Sequence, residues 1–126
     1  MDRKDIIIEE ICKFYGIEKK MISNKSRVKP LPLIRQTIAY FLRQKTMLSL
    51  MKCAEAIHYD NHASVCYAVN EVKNGMKYYS DYANEIKQLN LKIDVVIGLN
   101  ESYEPILIEK TNNYNVYLHK FKGLLQ

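Results

Sequence analysis

His58 and His62 stand four residues apart, a spacing that can put two imidazoles on one helix face and let them share a metal ion. Tyr59-Asp60 between them reads as a turn, which breaks the helix such a pair needs, so no metal is expected there. Three cysteines, Cys12, Cys53 and Cys66, lie far apart in apolar helical contexts. An odd number without CxxC spacing argues against a disulfide framework and a zinc site, leaving buried, reduced thiols. Glu9-Glu10 and Asp94 are isolated acids on solvated positions. The chain contains no GxxxxGK[ST], GxGxxG or HExxH pattern. The expectation is a protein that is not an enzyme and uses no cofactor.

The residues that remain are basic. From Lys19 to Lys52 there are nine, Lys19, Lys20, Lys25, Arg27, Lys29, Arg35, Arg43, Lys45 and Lys52, with no Asp or Glu among them. Residues 91–126 carry four basic and four acidic side chains and are neutral. The net charge of +5 is therefore local, as on a surface that meets a polyanion. A solvated basic face without a partner is the alternative on charge alone. The ten tyrosines are scattered, which suits packing and interfaces better than a stacking platform.

These groups need elements to hold them. A chain of 126 residues, 48% hydrophobic and 26% charged, suits one globular domain, or one domain with a small appendage. No apolar run reaches the roughly 18 residues needed to span a bilayer, and Ile6-Ile7-Ile8 is too short for a signal-peptide core. A cytoplasmic protein without a membrane partner is expected. Ile7, Ile8, Ile11, Cys12 and Tyr15 share helical spacing over about 3–15, and Gly16 ends that helix. A short helix is predicted over Glu18–Ile22, then a polar loop. Pro32 suits the first turn of a helix reaching about Gln44. Its predicted core face is Leu33, Ile34, Ile38, Phe41 and Leu42, with Arg35, Gln36 and Arg43 pointing outward.

Ser49 is a natural N-cap for a helix over about 50–57, and Asn61 for a second from His62 to about Asn74, closed by Gly75. Val65, Cys66, Val69 and Val72 would form the inner face of the second. Two helices joined by His58-Tyr59-Asp60, with small Ala54 near the crossing, match a helix-turn-helix, although an αα-hairpin serving only as core has the same pattern. Tyr78–Asn90 is predicted as one more helix. Beyond it, Ile93–Gly98, Pro105–Glu109 and Tyr114–His119 are short β-branched and aromatic runs, read as a small antiparallel β meander. The domain reading is thus a helical unit over 1–90 and a β-rich extension over 91–126.

Across residues 5–89 the sequence resembles the C-terminal DNA-binding domain of the bacterial chromosomal replication initiator DnaA. The resemblance rests on Phe14-Tyr15-Gly16-Ile17, on the basic loop Asn24-Lys25-Ser26-Arg27-Val28-Lys29-Pro30 and on Ile34-Arg35-Gln36-Thr37-Ile38-Ala39-Tyr40-Phe41-Leu42 against the family's "aRQiamyL". Ser49 to Ile57 matches "SLpeIGxxF", and Tyr59 to Ala68 matches "GRDHSTVxHA". It implies a mainly α fold, a helix-turn-helix of the DnaA C-terminal-domain and Trp-repressor type, α+β overall once the β meander is added. It also implies double-stranded DNA as partner. Arg27 would lie in the minor groove, and Arg35, Gln36 and Arg43 would hold phosphates. The helix beginning at Asn61-His62-Ala63-Ser64, with Tyr67 one turn on, would enter the major groove. Lys25, Lys29, Lys45 and Lys52 are basic neighbours that add backbone contacts on grounds of charge.

Departures from the family are specific. Its Arg-Asp before the histidine is Asp60-Asn61, the Ser/Thr after the histidine is Ala63, its turn glycine is Ala54 and its second histidine is Tyr67. They leave the fold intact and alter the expected DNA target. The initiator's ATPase domain has no counterpart in these residues, so replication initiation itself is not implied. The expected role is a small transcription or replication regulator with altered sequence specificity. The alternatives are a protein-interaction module on an inherited fold and an RNA-binding protein using the same basic face. A homodimer through residues 91–126, or that tail folded back on its own helices, are the two arrangements open for the extension.

Overall fold

The computed structural model describes residues 2–23 and 27–110, with side chains as far as Glu101. Among these residues six helices follow in order: α1 (Arg3–Tyr15), α2 (Lys20–Ser23), α3 (Leu31–Lys45), α4 (Leu50–Ala56), α5 (His62–Tyr78) and α6 (Ser80–Lys110). α1 starts where the Asp2 carboxylate accepts the Asp5 amide at 2.9 Å, which satisfies one of the donors a helix start leaves over. It ends at Gly16, whose φ of 69° is the left-handed cap that glycine adopts without strain. Ile7, Ile8, Ile11 and Cys12 are buried as their spacing requires, together with Ile6.

α3 runs through the middle of the core, packing on α1 on one side and α5 on the other. Ile34, Ile38, Phe41 and Leu42 are buried, but the stripe is rotated from the expected one. Leu33 is 61% exposed, whereas Arg35, expected outside, is 6% exposed. The stripe runs through Ile34, Ile38 and Phe41; Arg35, Ala39 and Leu42 widen it on one side, and Thr37 is buried on the other. Leu33, one residue before the stripe, is left in solvent.

α5 does not stop at Gly75 but continues to Tyr78. Its inward face is Val65, Ala68 and Val72, with Val69 half-buried against the core. Cys66, expected inside, is exposed; Cys12 and Cys53 are buried. The three-and-four spacing through Val65, Ala68 and Val72 is what turns Cys66 outward.

The C-terminal β meander is not found, and the fold is mainly α rather than α+β. Among the described residues there is no strand. Ile93–Gly98 and Pro105–Glu109 lie inside α6, and Tyr114–His119 falls outside the described residues. The physical reason is a longer period. Ile86, Leu89, Ile93 and Ile97 recur at intervals of three and four, and all are buried in the common core. Burial of one helical face outweighs the modest strand preference of the β-branched residues at 93–97. The boundary expected at 90/91 therefore falls inside a helix whose far half still packs on α1. Two polar ties reinforce that packing. The Arg3 guanidinium donates to Glu101 from Nε and Nη2, at 2.6 and 2.9 Å, and from Nη1 to the Lys45 carbonyl at 2.9 Å, while the Lys45 ammonium pairs with Asp94. No described helix is long and apolar enough to cross a membrane.

Candidate nucleic-acid interface

α4 opens with the Ser49 hydroxyl accepting the Lys52 amide at 3.2 Å, and Cys53, Ala54 and Ile57 bury its inner side. The chain then reverses within a few residues. The Ala54 carbonyl accepts from the amides of Ile57 (3.3 Å) and Tyr59 (2.9 Å), while His58 takes a left-handed φ of 61°. Asn61 restarts a helix: its side-chain oxygen accepts the Ser64 amide at 3.0 Å and the Ser64 hydroxyl at 3.3 Å. Asn61 and Ser64 thus use polar capacity on each other. His62, Ala63 and Tyr67 stay exposed on the outer side of the first turns of α5.

Facing those turns is the segment that leads into α3. Arg27, Pro32, Arg35 and Gln36 on one side, and His58 to Asn61, Ala63, Ser64 and Tyr67 on the other, line an open cleft of about 660 Å³. It gathers seven of the expected site residues, Arg27, Arg35, Gln36, Asn61, Ala63, Ser64 and Tyr67, from three stretches of chain. It also includes Pro32, His58 and Tyr59, which were not expected in the site, and Asp60, the acid among its described lining residues. The signal for them is present in the sequence: two capped helices facing Arg27 must turn their connecting residues toward it. Burial raises the Tyr59 phenol above its ordinary pKa, against the pull of the Arg35 charge nearby.

The remaining expected residues lie elsewhere. Lys25 falls outside the described residues. Lys29 is exposed just before α3, and His62 at the first position of α5, but neither lines the cleft. Arg43 is exposed and donates to the Leu48 carbonyl at 2.9 Å, bracing the connection into α4. Lys52 is 66% exposed and sits 3.5 Å from Glu55 on its own helix. Lys45 is the most enclosed, its side chain 14% exposed and paired with Asp94.

Two short-linked helices with the second presenting its N-terminal turns outward, beside an arginine-bearing segment, define a helix-turn-helix protein. Residues 4–72 match the family model described as the bacterial dnaA protein helix-turn-helix, and the chain belongs to that family. The chromosomal replication initiator protein DnaA of Caldanaerobacter subterraneus subsp. tengcongensis is 33% identical over 88 residues, covering 70% of this chain and 20% of that protein. The initiator of Thermoanaerobacter pseudethanolicus is 32% identical over 88 residues, with the same coverage. That of Herpetosiphon aurantiacus is 27% identical over 89 residues, 71% of this chain and 19% of that protein. The chain thus matches about a fifth of the length of these relatives.

Proposed function

We propose that the protein binds double-stranded DNA through α4 and α5, as a small non-enzymatic regulator of transcription or replication in the cytoplasm. The carrying observation is the cleft that sets Arg27 and Gln36 opposite the exposed first turns of α5. A helix with its side chains is about 10–12 Å across and fits a major groove about 12 Å wide. With α5 seated there, the Arg27 segment beside it faces the adjoining minor groove, and Gln36 lies over the backbone between. Lys29, Arg43 and Lys52, exposed cations of the same acid-free run, would add phosphate contacts. Family membership and the acid-free run from Lys19 to Lys52 support the same reading.

The experiment is a fluorescence-anisotropy titration with random duplex DNA at about 50 and 200 mM salt. Non-specific binding should appear at low salt with a Kd of roughly 1–100 μM and weaken steeply at the higher salt. No binding at low salt would leave a protein-interaction module as the better account of a cleft that contains Asp60. We further propose that the chain forms a homodimer through its C-terminal part, since a lone helix-turn-helix covers one half-site. The exposure of Leu91 and Val95 on α6 supports this. Sedimentation of a monomer at micromolar concentrations and above would exclude it.

A further inference from the structure

Arg35 is, with Thr37, one of two buried polar or charged residues among those described, and its surroundings give it a role that differs from its neighbours'. Burying a guanidinium is costly unless its donors find acceptors. In this core Nε donates to the Ile22 carbonyl at 3.3 Å and Nη2 to the Met21 carbonyl at 3.4 Å. Both carbonyls belong to the last turn of α2, where helix geometry leaves such groups without partners. The same charge reaches Tyr59 in the turn between α4 and α5. Arg35 therefore holds the end of α2, the helix that precedes the Arg27 segment, and lines the same cleft as Tyr59 in the turn that leads into α5.

We propose that Arg35 is a positioning residue that sets the separation between Arg27 and the N-terminus of α5, and so the simultaneous fit of the two elements to DNA. The inference rests on the DNA-binding reading for its functional half. A direct phosphate ligand needs an exposed fork, whereas a side chain 6% exposed acts through what it holds in place. Lysine keeps the charge but not the planar fork, so Arg35→Lys separates the two roles: a phosphate contact survives it, a two-carbonyl clamp does not.

The test combines a double-mutant cycle with proteolysis of the free protein. Arg27→Ala in the wild-type background should lower DNA affinity about tenfold, the scale of one specific contact. Arg35→Lys should lower it by at least a comparable factor, and adding Arg27→Ala to Arg35→Lys should then cost less than about threefold, because the two act as a unit. Without DNA, tryptic cleavage after Arg27 should be about tenfold faster in Arg35→Lys than in wild type, at unchanged helical content, as local opening becomes easier. If Arg35→Lys binds as tightly as wild type, or the two substitutions multiply independently, the proposal is overturned. Should Arg35→Lys not fold, Arg35→Gln, which retains a donor for one carbonyl, is read the same way. A wild-type protein that ignores DNA would defeat the DNA-binding function, while an unchanged cleavage rate would defeat the clamp itself.

Discussion

Gly75 on α5 faces the ring of Tyr82 on α6 so closely that a Cβ there would come within 2.8 Å of the ring Cε2. The glycine is not ending its helix; it makes room for the aromatic that starts the packing of α6 on α5. Tyr82 packs half-buried against the core, and that burial raises its phenol above the ordinary pKa. Gly75→Ala should therefore destabilise the fold by about 1–2 kcal/mol, the overpacking term exceeding the roughly 1 kcal/mol of helix propensity that alanine brings. In a Tyr82→Ala background the same change should turn stabilising. Urea denaturation of the four proteins checks this, and a destabilising effect in both backgrounds would show that the ring is not the cause.

Gly75 also shows where the sequence was legible. Caps and short-range spacing were readable: the boundaries marked by Gly16, Pro32, Ser49 and Asn61 all appear in the structure, whereas the Asp2 cap was not singled out. These signals depend on residues within a turn of each other. A glycine chosen for a ring seven residues on, in the next helix, looks the same as a helix stop. The residues at 93–97 failed for a related reason, since they look like a strand until Ile86 and Leu89 are counted in the same stripe. In the candidate site, Arg27, Gln36 and the start of α5 come from the resemblance, and the structure brings them to one cleft. Arg35 and Lys45 carry the same charge in the sequence as Lys52, and only packing tells a clamp or an internal pair from an exposed cation.

His58 bears a local conformational penalty for the tight connection between α4 and α5. Its φ of 61° costs an L-residue of ordinary type about 1–2 kcal/mol, and glycine almost nothing. Against the greater freedom glycine gives the unfolded chain, His58→Gly should still stabilise the protein by about 0.5–1 kcal/mol. An unchanged or lower denaturation midpoint would mean that the imidazole, which lines the cleft, makes a compensating contact.

The course of α6 leads to a clear expectation for truncation. A chain ending at Leu91 loses Ile93 and Ile97 from the core, along with Asp94 and Glu101 and their ties to Lys45 and Arg3. Removing even one such buried side chain costs about 2–5 kcal/mol, and total stability is only about 5–15 kcal/mol. That fragment should lose cooperative unfolding by circular dichroism, whereas one ending at Lys110 should keep it. A stable, cooperative 1–91 fragment would mean that the second half of α6 is dispensable to the core.

The basic side chains should divide by environment. Lys52 is exposed, so Lys52→Ala should weaken binding about equally on all duplexes and lower the salt slope by about one unit. Lys45 directs its charge to Asp94 and lies 6.0 Å from the centroid of the Phe41 ring, so Lys45→Ala should leave the slope nearly unchanged and reduce stability instead. Equal slopes for the two variants would mean that the Lys45 pair opens on DNA.

Asp60, Ala63 and Tyr67, positions at which this chain departs from the family's pattern, line the cleft, and the proposed DNA-binding reading makes them the test of its specificity. Ala63 and Tyr67 are exposed on α5 and Asp60 lies just before its cap, all three lining the same cleft. Ala63 has no hydroxyl to offer a base, and Asp60 sets a negative charge where a duplex brings phosphates. Asn61 and Ser64 are engaged in the cap, which leaves His62 and Tyr67 as the side chains available to read a different sequence. A lost base contact costs roughly 1–3 kcal/mol, and two such losses bring a site near non-specific affinity. The unmodified protein should therefore bind the initiator family's own box with little preference over a scrambled duplex. Asp60→Arg combined with Ala63→Thr should restore about tenfold or more of that preference, provided α5 docks as proposed. Anisotropy titrations of box and scrambled duplex, at one salt concentration, compare the two proteins directly. Tight, selective binding of the box by the unmodified protein would show that neither Asp60 nor Ala63 shifts the target.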